Sequence, residues 1–161
     1  SLEEHLARRE DNTPRDQWLL VDGITNPQNL GMIIRSTAAS PLQGIIIPQK
    51  GNASLDPLAI KASAGTLFRA TILRTPDINV ALPALKQHGY RLIGLAGDGA
   101  QPISDIPLEA SVVYIVGSET HGLSEVSRKH VDALCSIPMN HGVESLNAAV
   151  TASIIAFRGV L

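Results

Sequence analysis

Three short stretches concentrate the residues able to bind or react. The first is Asp22-Gly-Ile-Thr-Asn26-Pro-Gln-Asn29-Leu-Gly31-Met-Ile-Ile-Arg35. Asn29 is placed to cap a helix opening at Leu30, and Arg35, about one and a half turns on, faces a different side. Arg35 sits beside Met32, Ile33 and Ile34, so it either snorkels to solvent or is held for a task. A guanidinium is always protonated, and its default task is to grip phosphate or another anion through its planar fork.

The second stretch is Gly117-Ser-Glu119-Thr-His121-Gly122-Leu123-Ser124. Its two glycines resemble the start of a phosphate loop, but Leu123-Ser124 stands where the Lys-Ser/Thr pair belongs, which argues against one. Glu119 is either a turn residue or a ligand group at a carboxyl strand end. The third stretch is Ile137-Pro-Met139-Asn-His141-Gly-Val-Glu144-Ser145-Leu146-Asn147. Ser145 reads as the N-cap of the last helix, while Asn147 inside that first turn is harder to explain, because Asn is a poor helix former. His121 and His141 find no third ligand or acidic orienter at a useful spacing, so no metal site and no Ser-His pair is expected. Gly94-Leu-Ala-Gly97-Asp-Gly99 has the wrong spacing for a dinucleotide fingerprint, and Pro102 stands where its helix should start.

Each stretch follows an apolar run, and the whole chain alternates such runs with amphipathic segments. Strands are expected at Trp18–Val21, Gly44–Ile47, Ala70–Leu73, Arg91–Ala96, Val112–Val116 and Ala133–Ile137. Helices are expected at Leu30–Ala39, Pro57–Ser63, Ile78–His88, Ser124–His130 and Leu146–Val160, with Asp77 as a cap. This is an α/β pattern: a mostly parallel sheet of about six strands with helices on both faces. Residues 1–16 read as a linker, a short helix or the remnant of an N-terminal extension, and 17–161 as one domain.

At 161 residues with 44% hydrophobic content, a single core needs neither disulfide nor structural metal. Cys135, alone in an apolar run, reads as a buried thiol. No stretch has the length of a membrane span and no signal-peptide core opens the chain, so a cytoplasmic protein is expected. A formal net charge of −2 argues against a grip on nucleic acid by bulk charge alone; any such grip must be local or shared.

Taken together, the stretches resemble the three motifs of the SpoU/TrmH family of S-adenosylmethionine-dependent RNA ribose 2′-O-methyltransferases, in the SPOUT superfamily. Asn26-x-x-Asn29-x-Gly31-x-x-x-Arg35 resembles the first, Gly117-x-Glu119-x-x-Gly122-Leu123 the second, and Ile137-Pro138-Met139 with Glu144-Ser145-Leu146-Asn147 the third. Lys61-Ala-Ser-Ala-Gly65-Thr-Leu-Phe68-Arg69 is similar to a stretch the family places between the first two.

The resemblance implies a C-terminal deep trefoil knot, a homodimer, and an rRNA or tRNA substrate. It implies cofactor contacts at Leu95, Ala96, Gly97, Gly117, Gly122, Ile137, Met139, Ser145 and Leu146. Asn29, Arg35, Glu119, Ser145 and Asn147 match the family's polar active-site positions. Two departures stand out: Ala149 replaces a Ser found in many relatives, and many relatives carry a separate N-terminal RNA-binding domain.

Two rivals stay open on the residues alone: a non-catalytic RNA-binding scaffold, and a nucleotide-binding α/β hydrolase. The last helix adds a motive for dimerisation. Leu146, Val150, Ile154, Ile155, Phe157 and Leu161 are too many apolar residues for one narrow stripe.

Overall fold

The computed structural model describes residues 1–10, 15–109 and 111–160; Leu161 and part of the N-terminal stretch lie outside them. Among the described residues seven strands form one parallel sheet: β1 (Asp16–Asp22), β2 (Gly44–Pro48), β3 (Ile72–Thr75), β4 (Arg91–Leu95), β5 (Gln101–Pro102), β6 (Ser111–Gly117) and β7 (Ala133–Ser136). Their order is β3-β2-β1-β6-β4-β7-β5, and every ladder is parallel. The two-residue β5 is the strand the expected six lacked; its Gln101-Pro102 pair carries no apolar alternation to betray it.

The central strands are apolar between their ends because both faces are covered. On one face Leu19, Val21, Ile45, Val112 and Tyr114 meet Leu30, Ile33 and Ile34 of α2 (Pro27–Ala39) and Ala152 and Ile155 of α6 (Ala148–Phe157). On the other, Trp18, Leu20, Ile46, Val113 and Ile115 meet Ala81, Leu82 and Leu85 of α4 (Ile78–Gln87). Asp77 caps α4 as expected. Cys135 is fully buried in the first layer, and burial pushes its thiol pKa up. No described helix is long and apolar enough to cross a membrane.

Of the readings for the N-terminal stretch, a short helix forms over α1 (Leu2–Ala7), closed by a Ser1/Glu4 capping box, with Leu2 and Leu6 buried in the second layer. A polar cluster fastens Arg9, just beyond this helix, to the start of β1. The carboxylate of Asp16, only 2% exposed, accepts from Trp18 Nε1 at 2.5 Å, Arg9 Nε at 2.9 Å and the Tyr90 hydroxyl. Burial, with that carboxylate beside it, pushes the Tyr90 hydroxyl pKa far up.

Two helix starts differ from expectation by more than one residue. Helix α2 opens at Pro27, and its cap is Asn26, whose Oδ1 accepts from the Gln28 and Asn29 amides at 2.9 and 3.0 Å. Proline suits the first helical position because its missing N–H has no partner there anyway, so the helix starts three residues before Leu30 and Asn29 lies inside it. Helix α6 opens at Ala148, capped by Asn147 rather than Ser145; Asn147 Oδ1 accepts from the Ala149 and Val150 amides at 2.8 and 3.3 Å. Asn and Ser cap about equally well, so local preference could not choose between them.

Helix α3 (Pro57–Ala62) packs on α2 through Gly31, where an added Cβ would lie 2.4 Å from the Ala59 carbonyl oxygen and 2.6 Å from Ala62 Cβ. Helix propensity favours Ala over Gly by about 1 kcal/mol, whereas overpacking costs about 1–3 kcal/mol. Backbone is the obstacle, so we expect Gly31→Ala to lose roughly 1–2 kcal/mol, read as a lower urea midpoint at unchanged slope. An unchanged midpoint would show that α3 shifts aside freely.

Candidate functional site

Parallel pairing sends the ends of β4, β6 and β7 to the same edge of the sheet, and there the chain opens a cleft of ≈ 570 Å³. Three loops wall it. The first carries Leu95, Ala96 and Gly97, the second Gly117, Glu119 and Gly122, and the third Ile137, Met139, Ser145 and Leu146. Every residue expected to contact a cofactor is thus brought to one cavity, as is Glu119.

The second loop is tight. A Cβ on Gly117 would lie 2.2 Å from the Gly122 carbonyl oxygen, and Ser118 bridges Gly122 as the chain doubles back. Behind it stands Asp22, 7% exposed, at the end of β1 and in register with Gly117. Asp22 Oδ2 accepts from the Ser124 amide at 2.8 Å and the Ser127 hydroxyl at 2.6 Å. Ser124 in turn caps α5 (Glu125–His130), so one buried carboxylate fixes where the loop ends and the helix begins. Asn52 braces the neighbouring turn, donating to the Pro48 and Val21 carbonyls and accepting from the Ile24 amide.

Asp22 and Asn52 are not among the site residues expected from the sequence, nor are Asp98, Glu144 and Thr151 of the cleft wall. For Asp22 a signal existed: an acid closing the apolar run Trp18–Val21 is costly to bury unless it is hydrogen-bonded.

The first and third motifs meet at the cleft border. Asn147 Nδ2 donates to Asn29 Oδ1 at 3.1 Å, while the other end of the same carboxamide caps α6. That double duty explains an Asn at the start of a helix. Arg35 is not part of this group: it is exposed on α2, outside the cleft lining, and has no carboxylate partner among the described residues.

The charge of the lining is one-sided. Among the described residues Asp98, Glu119 and Glu144 line it, and neither Lys nor Arg does. Asp98 is held in a two-bond pair by Arg128, at 2.9 and 3.1 Å, and the guanidinium's hydrogen bonds keep its carboxyl pKa below the ordinary value. The floor is apolar, with Leu95, Val116, Ile137 and Leu146. A cavity of this size and make-up suits a small organic ligand with positive charge and some apolar surface, and disfavours a polyphosphate, which needs cations. Among the described residues no group of three His, Cys, Asp or Glu side chains could hold a metal ion.

Comparison with known proteins agrees with this geometry. The model of the SpoU rRNA Methylase family matches residues 16–157. An uncharacterized tRNA/rRNA methyltransferase of Mycolicibacterium smegmatis is 38% identical over 135 residues, 84% of this chain, though the chain spans only 43% of that relative's length. The SpoU methyltransferase AviRb of Streptomyces viridochromogenes superposes with a TM-score of 0.83 at 30% identity, covering 96% of this chain and 60% of that one. Its complex with AdoMet superposes with a TM-score of 0.80 at 32% identity, over 89% of this chain and 56% of that one. With its second and third motifs lining one cleft, the first tied to the border through Asn29, and nearly its whole length covered by the family model, the chain belongs to the SpoU rRNA methylase family.

Proposed function

We propose that the chain transfers a methyl group from S-adenosylmethionine to a ribose 2′-hydroxyl of a structured rRNA or tRNA, with residues 17–161 as the catalytic domain of a cytoplasmic homodimer. The observation that carries this reading is the cleft: an apolar floor, a wall with Glu119 and Glu144 and no Lys or Arg among the described lining residues, and motif residues of α2 and α6 tied at its border. A C-terminal knot belongs to the same proposal, by family likeness. When bound, S-adenosylmethionine supplies an electrophilic methyl on a sulfonium, a leaving group that needs little assistance.

The residues fit that cofactor. Its net positive charge at neutral pH matches a wall with Glu119 and Glu144, and Leu95, Ile137 and Leu146 offer surface to an adenine. Gly117, with no room for a side chain against Gly122, presents bare backbone to the cleft.

What remains for the protein is to hold the ribose oxygen in line and to ease loss of its proton. Arg35, exposed and free of carboxylates among the described residues, binds an RNA phosphate in this reading, which requires no deprotonated guanidine. Asn29, its carboxamide set by Asn147, and Glu119 orient the sugar, and Ser145 forms part of the wall. A scaffold without chemistry is a weaker reading, since it gives these polar groups no task. A nucleotide hydrolase conflicts with the lack of cations among the described lining residues.

Dimerisation is supported by α6, where Val150 and Ile154 are 47% and 36% exposed beside the buried Ala149, Ala152 and Ile155. A second apolar face of this kind needs a cover.

Calorimetry should give S-adenosylhomocysteine binding and no heat with ATP; ATP binding alone would reverse the assignment. Arg35→Ala and Arg35→Lys should both lose methyl transfer by at least about a hundredfold, the scale of one lost charge-assisted contact of about 2.7 kcal/mol or more, with cofactor affinity within a few-fold. Near-normal turnover by the Lys variant would remove the fork from the mechanism. Light scattering at micromolar concentration should give the mass of two chains, and Val150→Asp should shift it toward one.

A further inference from the structure

Helix α2 has a different neighbour on each flank: α6 on one, and α3 with the 3-10 turn Thr66–Phe68 on the other. The proposed dimer face, with Val150 and Ile154, belongs to the α6 flank. The opposite flank carries an unused feature, the ring of Phe68, 77% exposed and one of two Phe in the chain.

The ring is presented by a built turn. Ser63 is fully buried; its hydroxyl donates to the Ile60 carbonyl at 2.7 Å and accepts from the Leu67 amide at 3.3 Å. Its carbonyl accepts from the amide and the hydroxyl of Thr66, at 3.0 and 2.7 Å. Ala64 and Gly65 are both left-handed, with φ of 51° and 77°, and for Ala that conformation is strained. At three residues per turn, Leu67 packs inward against the core while Phe68 stands outside. A hydrogen-bonded, strained turn thus holds an aromatic ring in water.

The stretch of chain that carries it is basic, unlike the whole. Between Ala53 and Arg74 lie Lys61, Arg69 and Arg74, against the single acid Asp56, which is occupied as the cap of α3. Lys61 and Arg69 are exposed, and neither is ion-paired with a carboxylate among the described residues. Gly31 faces Ala59, Ala62 and Ser63, so Arg35, one turn further along α2, stands on this same flank. An exposed ring among cations free of carboxylates is the arrangement that binds unpaired nucleotides: bases stack on the ring and the cations take the phosphates. A lone exposed aliphatic side chain would need no such reading.

We propose that Phe68, with Lys61 and Arg69, is a stacking platform for an unpaired base of the RNA substrate. This rests on the RNA methyltransferase reading and adds to it the local grip that a net charge of −2 demands. The platform selects single-stranded or looped RNA, because a base inside a duplex offers no free face.

The test uses the full chain, a fluorescein-labelled 12-nucleotide oligoadenylate, a blunt RNA duplex of the same length, and methyl uptake by bulk rRNA and bulk tRNA. Phe68→Ala should weaken oligoadenylate binding about tenfold, within the range of one lost stack, and Phe68→Trp should restore it. Phe68→Leu should behave as Ala, since it keeps the apolar contact and loses the π-face. Duplex binding, melting temperature, dimer mass and S-adenosylhomocysteine affinity should stay put, while Lys61→Gln with Arg69→Gln flattens the salt dependence. Wild-type affinity in Phe68→Leu overturns the platform, as does a variant that falls apart into single chains, which would make this flank a contact between copies. Methyl uptake by rRNA or tRNA without oligoadenylate binding removes the platform and leaves the methyltransferase standing. Stacking-dependent binding with no uptake by either RNA supports the platform and counts against the methyltransferase reading.

Discussion

Strand β6 pairs in parallel with β1 along Asp16–Asp22 and with β4 along Arg91–Leu95, and this pairing brings Asp22, Leu95 and Gly117 side by side at one edge. The three strands are buried on both faces, and each fully buried Leu, Ile or Val contributes about 1.5–3 kcal/mol. A one-residue slip would turn Leu19 and Leu20 to opposite layers and break both packings at once. The register is therefore strongly specified, and the loops that leave these strands inherit their positions from it.

Rigid strand ends do not by themselves fix a loop. Asp22 and Asn147 do so here with one side chain each: Asp22 seats the exit of the Gly117–Leu123 loop, and Asn147 ends the third loop and fastens it to α2. Both are polar groups whose hydrogen bonds span large sequence separations. Removing either side chain leaves its partners unsatisfied, which costs about 1–3 kcal/mol where they are buried. Geometry at the cleft and stability of the fold are thus coupled through the same few atoms.

Charge is divided unevenly over the surface. The cleft wall is acidic and suits a cationic small molecule. The cations Lys61 and Arg69 on the α3 flank suit phosphates, and the near-neutral total conceals both. Polyelectrolyte binding depends on where charges sit as well as on how many there are. A weakly acidic chain can hold RNA if its cations are clustered and free of carboxylates.

The sequence by itself determined the alternation of strands and helices, the two-layer burial and the three polar stretches, because apolar periodicity and strand-end polarity are written in consecutive residues. Through its resemblance to the SpoU/TrmH family it also pointed to ten of the residues that line the cleft. Tertiary structure decided which Asn caps which helix, that the Asn29 and Asn147 side chains meet, and that Arg35 stands apart from the cleft. It alone revealed Asp22 as a brace, through bonds to residues 102 and 105 positions away, and Phe68 as an exposed ring. Caps of nearly equal preference and partners a hundred residues apart leave no local trace. They are settled only when the parallel sheet brings the strand ends together, since a hydrogen bond depends on distance in space and not along the chain.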